Sequence, residues 1–273
     1  MPRSRHREHL ALLDRLVRKL AHGAALSEND HACLSHIVRH ARIVEPQQRL
    51  VDEGDANQRV LVMLEGWAYR SKLLASGERL ITDLILPGDI SHVLTNLLGY
   101  ADHSVTTLTS GIMAEIHPAE IEVALECSLG LRRALRWSSL QTDSILRQAL
   151  INNGRRLAAT RIAHLICEVR ARLHAVEVSV EESFAWPLTQ DELGDVTAMT
   201  KVHVNRSLRV LRENGLILLQ QRRMHVPDAG RLAAFCDFTP DYLHLGYNSA
   251  EVRRSEMRAS TMEMQAAVRQ RVD

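Results

Sequence analysis

The spacing of apolar positions changes twice along this chain, and each change marks a change of expected structure. Residues 8–21 place Leu10, Leu13, Leu16, Val17 and Leu20 on one side of an amphipathic helix. Ser27 stands where it would cap a second helix, which holds Cys33, Leu34 and Ile37. From Arg42 to about His117 the period becomes that of strands. Runs such as Leu50-Val51, Val60-Leu61-Val62-Met63-Leu64 and Ile81-Thr82-Asp83-Leu84-Ile85-Leu86 are separated by Glu53-Gly54-Asp55, Glu65-Gly66, Ala75-Ser76-Gly77-Glu78 and Pro87-Gly88-Asp89. Short runs punctuated by glycine turns predict a small antiparallel barrel.

After Pro118 helical spacing returns and persists to about Val176. Leu131, Leu135, Ser138, Thr142, Ile145, Ala149 and Asn152 follow one another in alternating steps of four and three, the seam of a two-stranded coiled coil. That seam predicts a dimer interface, with Leu140, Leu146 and Leu150 flanking it and turned toward the barrel. Asn152-Asn153-Gly154 is expected to break the helix and act as a hinge. Arg155–Leu173 follows as a helix with a core stripe of Ile162, Leu165, Ile166 and Val169.

The stretch from Leu188 to Ile217 carries the clearest chemistry. Thr189 N-caps a short helix, and Glu192 completes a capping box. Thr200 caps the next helix, on which Val204, Leu208 and Leu211 form one apolar face and Gly215 marks the stop. Two short capped helices with a tight turn between them are a helix-turn-helix. The opposite face of the second helix presents Val202, Asn205, Arg206 and Arg209, with Lys201 at its start and His203 on its flank. Arg reads guanine and Asn reads adenine in a major groove. Helix N-termini at Thr189-Gln190 and Thr200, with their basic neighbours, suit phosphates. Leu216–Gln220 and Met224-His225-Val226 read as two strands about a basic turn containing Arg222 and Arg223, a wing.

The rest of the composition narrows this reading. A chain of 273 residues holds about two domains. Its net charge of +1 confines any nucleic-acid surface to a local patch. No uncharged apolar run reaches the ~18 residues of a spanning helix, and Asp14 and Arg15 interrupt any signal-peptide core. The expected location is the cytoplasm, with no membrane partner. Cys33, Cys127, Cys167 and Cys236 are scattered, without CxxC or zinc spacing, and each reads as a free buried thiol. His36 and His40 stand four apart but lack a carboxylate or Cys beside them. No nucleophile elbow, P-loop or dinucleotide fingerprint is present, so no enzymatic activity is expected.

The segment 188–226 resembles the winged helix of the Crp/Fnr superfamily of bacterial transcription regulators, in particular members with the recognition helix Val202-His203-Val204-Asn205-Arg206. Gly54-Asp55, Gly66 and Pro87-Gly88-Asp89 match the glycine framework of that family's cyclic-nucleotide-binding-like β-roll. The resemblance implies an α+β protein: N-terminal helices over 1–41, an antiparallel β-roll over 42–118, a long dimerisation helix and hinge over 119–153, a winged helix-turn-helix over 154–236 and an extension over 237–273. It also implies double-stranded DNA, a second copy of the chain and RNA polymerase as partners. DNA contacts fall to Thr189, Gln190, Thr200, Lys201, Val202, His203, Asn205, Arg206, Arg209, Arg222 and Arg223, and the dimer contact to Leu131, Leu135, Ser138, Thr142, Ile145 and Ala149.

The chain departs from the family at the ligand. A cyclic-nucleotide binder follows Pro-Gly-Asp with Gly-Glu and later supplies an Arg for the phosphate. Here Ile90-Ser91-His92 follows, and His103-Ser104 stands at the Arg position. A histidine is a poor fixed cation at neutral pH, so control by cyclic AMP is not expected and the ligand, if any, is undefined around His92, His103 and Ser104. With only Cys33 near the N-terminus, an iron–sulfur centre is not expected, and no cofactor is assigned. The alternative is a haem- or metal-dependent gas or redox sensor using His92, His103 or His117. At position 202 many relatives carry a base-reading Glu, and Val202 implies a different operator base there.

Overall fold

The computed structural model describes residues 2–39, 41–56, 59–91, 99–178 and 183–246, with the side chains of 2–11, 37 and 38 left undescribed. The expectations for His40, His92 and the tail after 246, and those resting on the side chains of Leu10 and Ile37, lie outside the described residues.

Two helices open the chain, α1 (Pro2–Ala21) and α2 (Glu28–Val38). The first is six residues longer at its start than its apolar stripe required. Ser27 caps α2 as expected: its Oγ accepts from the Asp30 N–H at 3.2 Å, and the Asp30 carboxylate accepts from the Ser27 N–H at 2.8 Å. Among the described residues seven strands follow: β1 (Ala41–Val44), β2 (Arg49–Val51), β3 (Val60–Glu65), β4 (Ala68–Leu73), β5 (Arg79–Ile85), β6 (Ser104–Thr107) and β7 (Gly111–Ile116). They form two antiparallel sheets, ordered β1-β7-β3 and β2-β6-β4-β5. Alternation along β3 shows why the run is apolar throughout: Leu61 and Met63 face the roll interior, while Val60, Val62 and Leu64 face a second core with α1, α3 and α4. A strand buried on both faces leaves no polar position. Gly88 sits at φ 89°, and an added Cβ there would lie 3.0 Å from the Arg15 carbonyl, so α1 crosses the Pro87-Gly88-Asp89 turn at close range.

Next come α3 (Pro118–Cys127), α4 (Leu129–Arg155) and α5 (Ala158–Ala175). The expected break at Asn152-Asn153-Gly154 is not there. The helix runs through these residues, and the chain turns at Arg156-Leu157. Asn152 is held inside because its Nδ2 donates to the Arg161 carbonyl at 3.1 Å, and Gly154 is tolerated near the helix end. The faces of α4 also differ from expectation, with Thr142, Leu146 and Ala149 half-buried between them. Leu131, Leu135, Ser138 and Ile145 are buried against the chain's own α1, α3 and β5, while Leu140 and Leu150 are 62% and 75% exposed. A four-three spacing identifies the stripe that wants cover and not what covers it. Polar members are accommodated by hydrogen bonds, as where Thr142 Oγ1 donates to the Ser138 carbonyl at 3.2 Å, and the neighbouring buried Gln141 accepts from Lys19 and donates to the Leu243 carbonyl.

The C-terminal unit consists of α5, β8 (Ser183–Ala185), α6 (Gln190–Thr197), α7 (Lys201–Glu213), β9 (Leu218–Gln220), β10 (Arg223–His225), α8 (Ala229–Cys236) and a 3-10 turn at Asp241–Leu243. The wing is a three-stranded sheet, β8-β10-β9, rather than a hairpin alone. Its core is continuous with the outer face of the roll: Trp67, Tyr69, Ile81 and Leu86 pack in one cluster with Ile162, Ile166, Trp186 and Leu193. Among the described residues no helix is long and apolar enough to cross a membrane.

Candidate nucleic-acid interface

The geometry of the α6–α7 pair follows from its caps. Thr189 Oγ1 accepts from the Glu192 N–H at 3.2 Å, and the Glu192 carboxylate accepts from the Thr189 N–H at 2.8 Å. Ala198, at φ 51°, reverses the chain after α6. A Cβ on Gly194 would stand 2.5 Å from the Met199 carbonyl, so only glycine permits so close a turn. Thr200 then caps α7 through the His203 N–H at 3.5 Å. Val204, Ser207, Leu208 and Leu211 are buried, which turns Lys201, Val202, His203, Asn205, Arg206 and Arg209 outward; Val202, an apolar residue, is 66% exposed. Arg206 and Arg209 form no ion pair among the described residues, whereas Lys201 lies 2.8 Å from Asp191.

Thr189, Gln190 and Thr200 are exposed at the two helix starts. Gln221 and Arg222 form the wing turn with φ of 46° and 57°, the doubly left-handed form that a two-residue hairpin favours. Arg222 is exposed at this tip, while Arg223 donates to Ser183 Oγ at 2.9 Å and so also braces the wing sheet. The sequence missed β8; its three residues carry no alternation long enough to read.

Behind this surface lies a buried charge cluster that no sequence motif announced. Arg172 of α5 donates to Asp89 at 2.6 Å and to the Leu84 carbonyl at 2.7 Å, and sits 3.6 Å from Asp83 and 3.4 Å from Glu168. Asp83 also pairs with Arg70, and Asp89 with Lys19 at 2.8 Å. Burial alone would raise the Asp89 carboxyl, but Lys19 and Arg172 hold it well below the usual range. Burial pushes Glu168 upward, against the pull of Arg172. Of the basic residues of α1, Lys19 is thus turned inward, Arg15 donates to the Leu64 carbonyl at 3.0 Å, and Arg18 stays exposed and pairs with Glu177. Three further bonds tie the roll to α6: Arg79 grips Asp195 Oδ2 through Nη2 at 2.6 Å and Nε at 2.8 Å, and Gln47 donates to Glu192 at 2.9 Å.

In the ligand region, His103 Nδ1 lies 2.6 Å from Asp102, and burial pushes its pKa down. Ser104 Oγ accepts from the Glu53 N–H at 3.1 Å. The buried cation nearby is Arg70, whose guanidinium is taken up by Asp83 and the Ile90 carbonyl. His117 caps α3 through the Ala119 N–H at 3.3 Å. Among the described residues no three His, Cys, Asp or Glu converge as a metal site. Of the four thiols only Cys167 and Cys236 are buried; Cys33 is half-buried and Cys127 exposed, against the expectation that all are inside.

The Crp-like helix-turn-helix domain matches residues 160–235, spanning α5 to α8. The transcriptional activator FnrL of Cereibacter sphaeroides is 24% identical over 200 residues, 71% of this chain and 79% of that protein. AadR of Rhodopseudomonas palustris, a transcriptional activatory protein, is 24% identical over 219 residues, 80% and 90% of the two chains. In fold the chain is similar to FixK2 from Bradyrhizobium japonicum, with a TM-score of 0.63 and 20% identity over 71% of this chain and 96% of that one. The chain carries a Crp-like helix-turn-helix domain and is similar to transcriptional activators in sequence and to FixK2 in fold. The helix-turn-helix domain is a DNA-binding domain, and the relatives the chain is similar to are named transcriptional activators.

Proposed function

We propose that the protein is a homodimeric Crp/Fnr-type regulator that reads an inverted-repeat operator in double-stranded DNA. The observation that carries this is the outward face of α7, where Val202, Asn205, Arg206 and Arg209 stand exposed on a helix pinned by Val204, Leu208 and Leu211. Arg206 donates to a guanine, and Val202 packs on a thymine methyl. Lys201, His203, Arg222, Arg223 and the starts of α6 and α7 hold phosphates. Two copies place their α7 helices in successive major grooves, ~34 Å apart.

The dimer forms through the exposed side of α4. Leu129, Arg133, Arg136, Leu140, Asp143, Arg147 and Leu150 recur there in steps of four and three, and Leu129 and Leu140 are 59% and 62% exposed. This seam replaces the inward one that the sequence selected. Cyclic AMP does not gate the protein, since Arg70, the buried cation of the described roll near His103, is already held by Asp83, and Lys72 beside it is held by Glu53. RNA polymerase is the further partner, as befits a regulator whose relatives are named activators.

Selection of purified protein against a random-sequence DNA library tests the reading. An enriched inverted repeat with half-site centres one turn apart is expected. Enrichment of unpaired half-sites would overturn the dimeric reader, and no enrichment, with or without cell extract, would overturn sequence-specific binding.

A further inference from the structure

The fold brings together two thiols that the sequence holds 69 residues apart. Cys167 lies midway along α5 and Cys236 is the last residue of α8; their sulfurs are 3.9 Å apart, both buried. We propose that Cys167 and Cys236 are a peroxide-oxidisable dithiol whose disulfide clamps the segment 237–243 onto α5.

The geometry favours closure. A disulfide needs its sulfurs about 2 Å apart, so roughly 2 Å of sulfur travel, within the reach of side-chain rotation, suffices. The hydrogen bond from Cys167 and the charge of Arg156 push the Cys236 thiol down, while the same sulfur–sulfur bond and burial push Cys167 up. We write Cys236 as the attacking sulfur; with the two roles exchanged the same disulfide and the same two waters result. The Cys236 sulfur attacks one peroxide oxygen; the O–O bond breaks, sulfur loses two electrons, and the departing hydroxide takes a proton to become water. The Cys167 sulfur then attacks the sulfenic sulfur, forming the S–S bond and breaking S–O, and the leaving hydroxide takes the Cys167 proton as a second water. Two thiols and one peroxide yield one disulfide and two waters.

What the bond would hold is visible in the residues that follow. Asp237 reverses the chain at φ 53°. Phe238 and Tyr242 then pack on the His164 ring, with centroids 5.2 and 5.9 Å away. Tyr242 Oη donates to Glu168 at 2.8 Å, and the Leu243 carbonyl accepts from Gln141 of α4. The segment is a strap from the DNA-binding unit to α4, and Cys236 is its root.

The test uses the full chain treated with hydrogen peroxide, then denatured, alkylated and mapped by mass spectrometry, with hydrogen exchange on the native oxidised and reduced forms. The expected result is a Cys167–Cys236 linkage within one chain, absent after dithiothreitol, with exchange over 237–243 slowed at least threefold. Cys167→Ser should lose both effects, and Cys127→Ser should keep them. Cys167 and Cys236 both recovered as alkylated thiols, or linked to other cysteines, would overturn the dithiol. Linkage without slowed exchange would overturn the clamp.

Discussion

Arg172 of α5 and Asp89 of the roll meet at 2.6 Å, Nη2 to Oδ2, with the guanidinium buried. The contact joins the DNA-binding unit to the turn that follows β5, beneath α1. Removing the guanidinium leaves Asp83, Asp89 and Glu168 with less positive charge in a buried site, so Arg172→Ala should destabilise the protein by about 3–5 kcal/mol. A urea midpoint unchanged from wild type would show that the cluster contributes little.

His164 supplies a pH signature. Its ring is 1% exposed, and burial, with Arg156 nearby, holds its pKa at about 4. The neutral imidazole accepts from Gln148 Nε2 at 3.1 Å. The unfolded chain protonates near pH 6.5 and the folded one does not, so this contribution is complete above pH 6.5 and lost as pH falls toward 4. The loss amounts to about 3 kcal/mol. Denaturation between pH 7 and 4.5 should show that slope, reduced in His164→Gln; an equal slope in the variant would assign it elsewhere.

Operator reading divides between Arg206 and Val202. Arg206→Ala should lose about 1–3 kcal/mol per half-site and relax preference at one base pair. Val202→Glu should instead move the preferred base toward cytosine, whose N4 a carboxylate accepts. Gel-shift titrations against every substitution at the affected positions distinguish the two; Arg206→Ala binding within twofold of wild type would remove it from the interface.

Assembly distinguishes the two faces of α4. Leu140→Glu, on the outside, should weaken the dimer at least ~10-fold, which corresponds to about 1.4 kcal/mol. Ser138→Val, on the inside, should alter the unfolding midpoint and leave the sedimentation of the folded species alone. If Leu140→Glu still sediments as wild type, the outer seam is not the interface.

The winged helix was legible because its signals are local. Thr189 with Glu192, and Thr200 before the apolar step of Val204, Leu208 and Leu211, each act within one or two turns of chain. The roll was legible in outline for the same reason, since glycine turns punctuate it. What failed depended on contacts distant in sequence. Whether Leu135 or Leu140 faces solvent is settled by α1, over a hundred residues earlier. Nothing local in the sequence marks Arg70 and Arg172 as buried, because their partners Asp83 and Asp89 come from other elements. The Asn152-Asn153-Gly154 break failed because tertiary hydrogen bonds to the Arg161 and Val196 carbonyls hold the two amides in the helix.

Trp67 of the roll meets Trp186 of the DNA-binding unit edge to face at 6.3 Å, inside a core that both share. Neither part therefore owns all the apolar cover it needs. Cut at the turn after α4, each half would present the other's half of that core to water, and a sensor grafted from a relative would have to match the shape of this interface as well as its fold. Modularity in this protein is a property of its outline; its interior behaves as one inheritance.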